Sequence, residues 1–414
     1  MKILVLNSGS SSQKSNLYEI NEELPKDPPG AEWEGKIEWD GDQADLQVRN
    51  SRGAKLKKRM TVRSRKHAIE ELLQSMWTGD ARVVDSALEI DVVGHRIVHG
   101  GSEYVMPTVI TSEVKTGIER LAKFAPLHNR AELDGIEIIE KQFREMMQVA
   151  VFDTGFHRNL PESARVYPGP YEWVKQGIRR YGFHGINHQY CAERAARMLR
   201  NDLSSLKLVT CHLGNGCSLA AIRDGHSVDT TMGFTPLEGL MMGTRSGSVD
   251  PAILTFLMRE SGVSGEQLDE MLNKKSGLLG ISGVSADMRK IVAAMKEGNV
   301  RAKLAFEMFV HRLQSGIGAM IAALNGMDAL VFTGGIGENS VEVRSNTCEN
   351  FGFLGMKLDA AKNSEITGDQ VADTEISHTN SSVRILVVRA QEDWAIARDC
   401  WRVKRGEGDS ASVN

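Results

Sequence analysis

Four times along this chain of 414 residues, a short run of apolar, largely β-branched residues ends in a turn of small residues and glycine. The stretches are "KILVLNSGSSSQK" from Lys2, "DVVGHRIVHGG" from Asp91, "LKLVTCHLGNG" from Leu206 and "ALVFTGGIGEN" from Ala329. Between them, "RKHAIEELLQSMW", "HQYCAERAARML" and "VRAKLAFEMFVHRLQSGIGAMIAAL" carry apolar residues at helical spacing. Strands alternating with helices predict α/β layers. In open sheets of that class, ligands bind at strand ends, where these turns fall. The first and third stretches also continue alike. "KILVLNSGSSSQKSNLYEI" and "LKLVTCHLGNGCSLAAI" are each an apolar strand, a small-residue turn and a second strand, about 200 residues apart. The echo predicts a duplicated domain.

At 41% hydrophobic residues the chain can bury ample core, and its length predicts two domains. A net charge of −4 gives no support to a nucleic-acid or anionic-membrane surface. Five cysteines without a CxxC pair argue against a disulfide framework and against zinc. No apolar run is long enough to span a membrane, and the first one stops at Asn7. The expectation is a cytoplasmic protein acting on small molecules. Residues 25–65, polar and then charged in "RGAKLKKRMTVRSRK", read as a solvated edge hairpin. The tail "RGEGDSASVN" reads as disordered.

Glycine lets successive backbone amides approach an anion closely, so "SGSSS", "HLGNG" and "GGIGEN" together favour phosphate binding. Any one alone is also explained as a tight turn, and none fits the P-loop or dinucleotide fingerprint. Arg96 in "GHRIVHGG" and Arg245 in "GTRSGS" have no local acid to pair with, which points to an anionic ligand. His128 in "APLHNR" and His184 in "YGFHG" are similar cases, although a histidine beside an aromatic is more often a satisfied core residue than a ligand group. Asp153 ends the apolar "VAVFD" and Glu392 follows "ILVVRAQ"; both fit Mg²⁺ anchors or helix caps.

Taken in order, "NSGSSSQK", "VGHRIVHGG", "APLHN", "FDTGFH", "YGFHG", "HLGNG", "DTTMGFTPLEGLMMGTRSG", "SGLLGISGVSADMR" and "FTGGIGEN" resemble the acetate kinases, from Lys2 to about Arg398. The resemblance implies a duplicated ribonuclease-H-like fold of the acetate and sugar kinase/Hsc70/actin type, with an interdomain cleft. It divides the chain into residues 1–155 plus 390–414 on the acyl side and 156–389 on the nucleotide side. It implies reversible transfer of phosphate from ATP to acetate, with Mg²⁺ (or Mn²⁺), in a cytoplasmic homodimer. A kinase of propionate or another short acid is the alternative within the family, and a non-catalytic ATPase of the same superfold the alternative outside it.

By the same resemblance Lys14, His212, Leu213, Gly214, Asn215, Gly216, Asp287, Met288, Arg289, Gly334, Gly335, Ile336, Gly337 and Glu338 would bind the nucleotide. Asn7 and Glu392 would hold the metal, with Ser10 and Ser12 facing phosphates. Arg96 would bind the acetate carboxylate and phosphoryl group, Arg245 the transferring phosphoryl group, and His184 its equatorial oxygens. Asp153 and His128 would complete the catalytic set, and Val98, Leu127, Phe183 and Pro236 the methyl pocket. The chain departs from the family's common pattern at Ser15, Ile186, Asn187, Ser248 and Val249. A carboxylic acid of pKa about 4 to 5 is already ionised at pH 7, so the nucleophile needs no base. The difficulty is an anion attacking an anion, which positive charge and in-line positioning relieve. Asp153 is therefore expected to orient an arginine or the metal, not to take a proton.

Overall fold

The computed structural model describes residues 1–9, 12–62, 64–122, 126–143, 145–366, 368 and 372–407, without the side chains of Asp40, Pro126, Leu127 and His128. The chain divides into two units, Met1–Gly155 with Gln391–Asn414, and Phe156–Ala390.

The first unit is built on an eight-stranded sheet: β1 (Lys2–Ser8), β2 (Ser12–Glu19), β3 (Trp33–Asp40), β4 (Gln43–Asn50), β5 (Lys55–Thr61), β6 (Val92–Ile97), β7 (Thr108–Val109) and β8 (Gln148–Phe152). Their spatial order is β5-β4-β3-β2-β1-β6-β8-β7. β1 runs antiparallel to β2 and parallel to β6, and β6 parallel to β8. Ile3 to Leu6 of β1 are all buried, because helices cover both faces. Gly94 of β6 faces Ile396 and Cys400 of the helix Glu392–Lys404. The next residue, His95, and Leu6 face Gly135 of the helix Pro126–Phe143. Period-2 alternation puts these neighbours on opposite faces.

Residues 25–65 correct the expected edge hairpin. Only β5 is a solvated edge, exposed along nearly its whole length. Trp33 and Ile37 of β3, with Leu46 and Val48 of β4, join the core beside Leu72 and Leu73 of the helix Arg65–Gln74. The alternation Trp33, Gly35, Ile37, Trp39 supplies that buried face. Gly35 leaves room there for the Trp33 ring, which a Cβ would meet at 2.4 Å.

The second unit repeats the plan with six strands: β9 (Leu208–Leu213), β10 (Cys217–Arg223), β11 (His226–Thr230), β12 (Ala329–Thr333), β13 (Thr374–Glu375) and β14 (Arg384–Val387). Their order is β11-β10-β9-β12-β14-β13. β9 is antiparallel to β10 and parallel to β12, and β12 parallel to β14. Thus β3-β2-β1-β6-β8 and β11-β10-β9-β12-β14 have the same order and sense, which accounts for the sequence echo. The longest helix, Val300–Leu324, starts at Asn299, whose side chain accepts from the Ala302 amide. It buries Ala302, Phe306, Phe309, Leu313, Ile317, Met320 and Leu324, a stripe at three- and four-residue spacing. "GGIGEN", expected as an open turn, is the short helix Gly334–Asn339, entered through a positive φ at Gly334. A Cβ there would lie 2.8 Å from Leu213 O, so only glycine fits.

Candidate active site

In the first unit, the carboxyl ends of three adjacent parallel strands each deliver one polar residue. Asn7 lies near the end of β1, Arg96 near the end of β6, and Asp153 directly follows β8. The Asp153 amide donates to Ile97 O at 2.9 Å, which fixes the acid beside Arg96. Arg96 Nη2 donates to Asp153 Oδ2 at 2.5 Å, and Nη1 lies 3.5 Å from Asn7 Oδ1. Burial opposes the charge on Arg96, but Asp153 and Glu392 more than offset it and hold its pKa above the ordinary value.

Asn7 Nδ2 donates to Asp393 Oδ1 at 2.8 Å and faces Glu392 Oε2 at 3.4 Å. Asn16 Nδ2 donates to the other Asp393 oxygen at 2.9 Å. Both acids open the helix Glu392–Lys404, whose N-terminal dipole favours negative charge. Burial nevertheless raises the Asp393 pKa, against the pull of Asn7 and Lys14. Lys14 itself is exposed on β2, directly opposite Asn7 in the ladder. Val98 is buried just past β6; its amide donates to both Glu132 oxygens, at 3.2 and 3.1 Å. Burial pushes the Glu132 carboxyl up to about 8, although Arg96 and the Val98 amide pull it down.

Among the described residues, no three His, Cys, Asp or Glu side chains form a ready-made metal cage. Glu392 and the Asn7 amide oxygen are hard donors beside Arg96. That set fits Mg²⁺, which keeps several waters and takes one or two carboxylates alongside substrate phosphates.

In the second unit, groups converge on the turn 214–216 after β9. A Cβ on Gly216 would lie 3.4 Å from His184 Nε2 and 3.5 Å from Arg245 Nη1, and one on Gly214 3.7 Å from His212 Nε2. His184 caps the helix Gly185–Leu199 with φ 56°, a left-handed conformation that a non-glycine residue adopts at a cost of about 1 kcal/mol. Its Nδ1 lies 2.8 Å from Ser218 Oγ, and its ring stacks on His212 with centroids 4.0 Å apart. Ser218 Oγ is also 2.8 Å from His188 Nε2, and His188 Nδ1 is 2.7 Å from Thr210 Oγ1. Burial drives the His188 pKa well below the usual imidazole value. Arg245 Nη1 donates to Pro236 O at 2.9 Å. Phe183 is buried, and its carbonyl lies 3.1 Å from His157 Nε2.

A cavity of about 850 Å³ opens beside this turn. It brings together Gly214, Asn215, Asp287, Met288, Arg289, Gly335 and Ile336 of the expected nucleotide set, and adds Ala286, Val292, Asn339, Ser340 and Glu342. Asp287 caps the helix Met288–Lys296 and holds the largely exposed Arg289 guanidinium at 2.6 Å. Glu338 is used differently. Its Oε1 accepts from the amides of Gly334 and Ala390, both at 2.9 Å, so it braces the short helix rather than lining the cavity. Leu213, Gly334 and Gly337 are buried around the turn and likewise do not line it. The side chains of Leu127 and His128, and Ser10, lie outside the described residues.

Sequence reasoning missed Asp393, Asn16, Glu132, Ser218 and the role of Asn187. For Asp393 a signal existed, two adjacent acids after an apolar strand in "VVRAQED"; the others find partners only through the fold.

Two units of one strand order, each with polar groups at the carboxyl ends of parallel strands, define the duplicated ribonuclease-H-like class of phosphotransferases and ATPases. Within that class, residues 2–398 match the Acetokinase family. The chain is 58% identical to an acetate kinase of a Cyanothece species over 405 residues, 97% of this chain and 98% of that relative. Among solved structures it is similar to the Porphyromonas gingivalis acetate kinase, with a TM-score of 0.89 and 41% identity over 97% of this chain and 99% of the other. It is also similar to a propionate kinase from Francisella tularensis subsp. tularensis, with a TM-score of 0.87 and 38% identity over the same shares of the two chains. The chain belongs to the acetokinase family.

Proposed function

We infer that this chain catalyses reversible, ATP-dependent phosphorylation of acetate to acetyl phosphate, by direct in-line transfer. The observation that carries the reading is the 58% identity to an acetate kinase across nearly the whole chain. The roles of individual residues are proposals supported by their chemistry. Arg96, with Asp153 holding one arm, takes the carboxylate of acetate and meets the charge on the incoming phosphoryl group. Arg245 and His184 take phosphoryl oxygens beside the 214–216 turn, His128 completes the set, and the 850 Å³ cavity takes the nucleoside. Glu392, with Asn7, would hold Mg²⁺, which when bound screens the phosphate charge; Mn²⁺ would substitute for it. Val98, Leu127, Phe183 and Pro236 would meet the methyl group. Asp153 takes no proton, because acetate arrives ionised.

No helix among the described residues is long and apolar enough to cross a membrane, and the reading is of a cytoplasmic enzyme. A homodimer is part of the proposal. It is supported by the helix Pro251–Ser261, which buries none of its residues and leaves Ile253 48% and Phe256 53% exposed. The test is acyl-phosphate formation by the purified protein with MgATP and acetate, propionate or butyrate in turn. Highest kcat/KM with acetate is expected. A pocket separates acids one methylene apart by about 10- to 200-fold, so a tenfold preference for propionate would reassign the substrate.

A further inference from the structure

Asn187 is fully buried in the first turn of the helix Gly185–Leu199, and its amide is used at both ends. Oδ1 accepts from the Cys191 thiol at 3.7 Å, one turn along the helix. Nδ2 faces His212 Nδ1 at 2.8 Å and donates to Thr333 Oγ1 at 3.4 Å. His212 and Thr333 are direct neighbours across the β9–β12 ladder, at the roots of the two glycine segments. An amide nitrogen only donates, so a ring nitrogen that faces it must carry a lone pair. The other ring nitrogen, Nε2, points to Gly214.

We propose that Asn187 is a positioning residue that holds His212 as the neutral Nε2–H tautomer, so that Nε2 offers a donor at the 214–216 turn. The consequence for catalysis rests on the reading above, in which that turn receives nucleotide phosphates. A doubly protonated His212 would set Nδ1–H against the Asn187 N–H. This constraint acts on His212; the other ring of the stack is His184. Its Nδ1 faces Ser218 Oγ, a hydroxyl that can accept as well as donate, and the same oxygen lies 2.8 Å from His188 Nε2. Two imidazolium rings stacked this closely would repel, and a neutral His212 avoids that repulsion beside His184 and Arg245.

The test is a long-range proton–nitrogen NMR spectrum of the whole protein labelled at histidine nitrogens, with His212 assigned by difference from His212→Gln. The expected result is an unprotonated, pyridine-type Nδ1 and a protonated Nε2. Asn187→Asp puts an acceptor opposite Nδ1 and should erase the pyridine-type Nδ1 signal. In that variant kcat should fall about tenfold or more, with KM for acetate within about twofold, because a donor to the nucleotide phosphates is lost and acetate binding is not. A protonated Nδ1 in the unaltered protein overturns the proposal, as does an Asn187→Asp spectrum unchanged at His212. If Asn187→Asp does not fold, the spectrum of the unaltered protein decides alone. Absence of acyl-phosphate formation in the unaltered protein would strike the proposed function and leave the tautomer assignment standing.

Discussion

Asp153→Asn isolates what the acid does for Arg96. The side chains are 14% and 1% exposed, and the hydrogen bond joining them is 2.5 Å long. Water therefore cannot make up for the lost charge. The Asn side chain keeps an acceptor oxygen but loses the charge, and a charge-assisted hydrogen bond exceeds a neutral one by about 1 to 1.5 kcal/mol, so the variant should lose about 5- to 15-fold in kcat. On the proposed reading, Arg96→Ala removes a donor to the reacting charge and should lose about 10² to 10³. If Asp153 acts only by aiming Arg96, the double variant Arg96→Ala/Asp153→Asn should be no worse than Arg96→Ala. Independent roles would instead multiply the losses, to about 10³ or more. Acyl-phosphate formation at saturating MgATP and acetate gives the four rates, with nucleotide binding as the control for intact folding. Losses that multiply would refute the positioning role and return Asp153 to direct contact with the reacting groups.

Gly94→Ala should lower the stability of the first unit by about 1 to 3 kcal/mol, because the added Cβ would sit 2.5 Å from Cys400 Sγ and 2.8 Å from Ile396 Cγ2. Thermal unfolding checks it, and Cys400→Ala should restore part of the loss. Arg344 is wholly buried and donates to carbonyls of Gly337, Glu338, Asn363 and Ile366 and to Asn363 Oδ1; Arg344→Lys has too few donors, leaves carbonyls unmet, and should raise KM for ATP as well as lower Tm. Unchanged values of both would remove its bracing role. Glu132 titrates near 8 when folded, so the folded chain holds that proton longer than the unfolded chain, and stability should fall as pH rises from about 4.5 to 8. His95 and His157, both lowered to about 4 by burial, act in the opposite sense: their contribution is present above about 6.5 and lost as pH falls toward 4. Denaturant titration of Glu132→Gln should show a flatter decline on the alkaline side; an unchanged profile would show that Glu132 is ionised throughout.

The strands were legible where burial on both faces made them continuously apolar, as in Ile3–Leu6 and Ala329–Phe332. β3 and β4 were not, because their outer faces carry enough charge to mask Trp33, Ile37, Leu46 and Val48 within a polar stretch. The duplication was legible for a related reason. The strand–turn–strand unit is local, and its pattern survives in the chain even though the equivalence of the two sheets is a matter of order in space.

Residues of the site divide by how far away their partners are. Arg96 and Arg245 stood out because nothing near them in sequence could neutralise them, and a cation in an apolar, glycine-rich setting needs a reason. Their fold partners make the reason concrete: Asp153 is 57 residues from Arg96 along the chain. The imidazoles give no such warning. A buried histidine can be neutral, and its chemistry is then decided by which nitrogen faces a donor. For His212 that choice falls to Asn187, 25 residues earlier on another element; the partner of His184 Nδ1, Ser218, lies 34 residues later. Charge leaves a trace in composition and spacing, whereas proton placement depends on hydrogen-bond direction and exists only after the strands and helices have packed. The second unit therefore hides more of its chemistry from sequence than the first, although both are built on the same strand order.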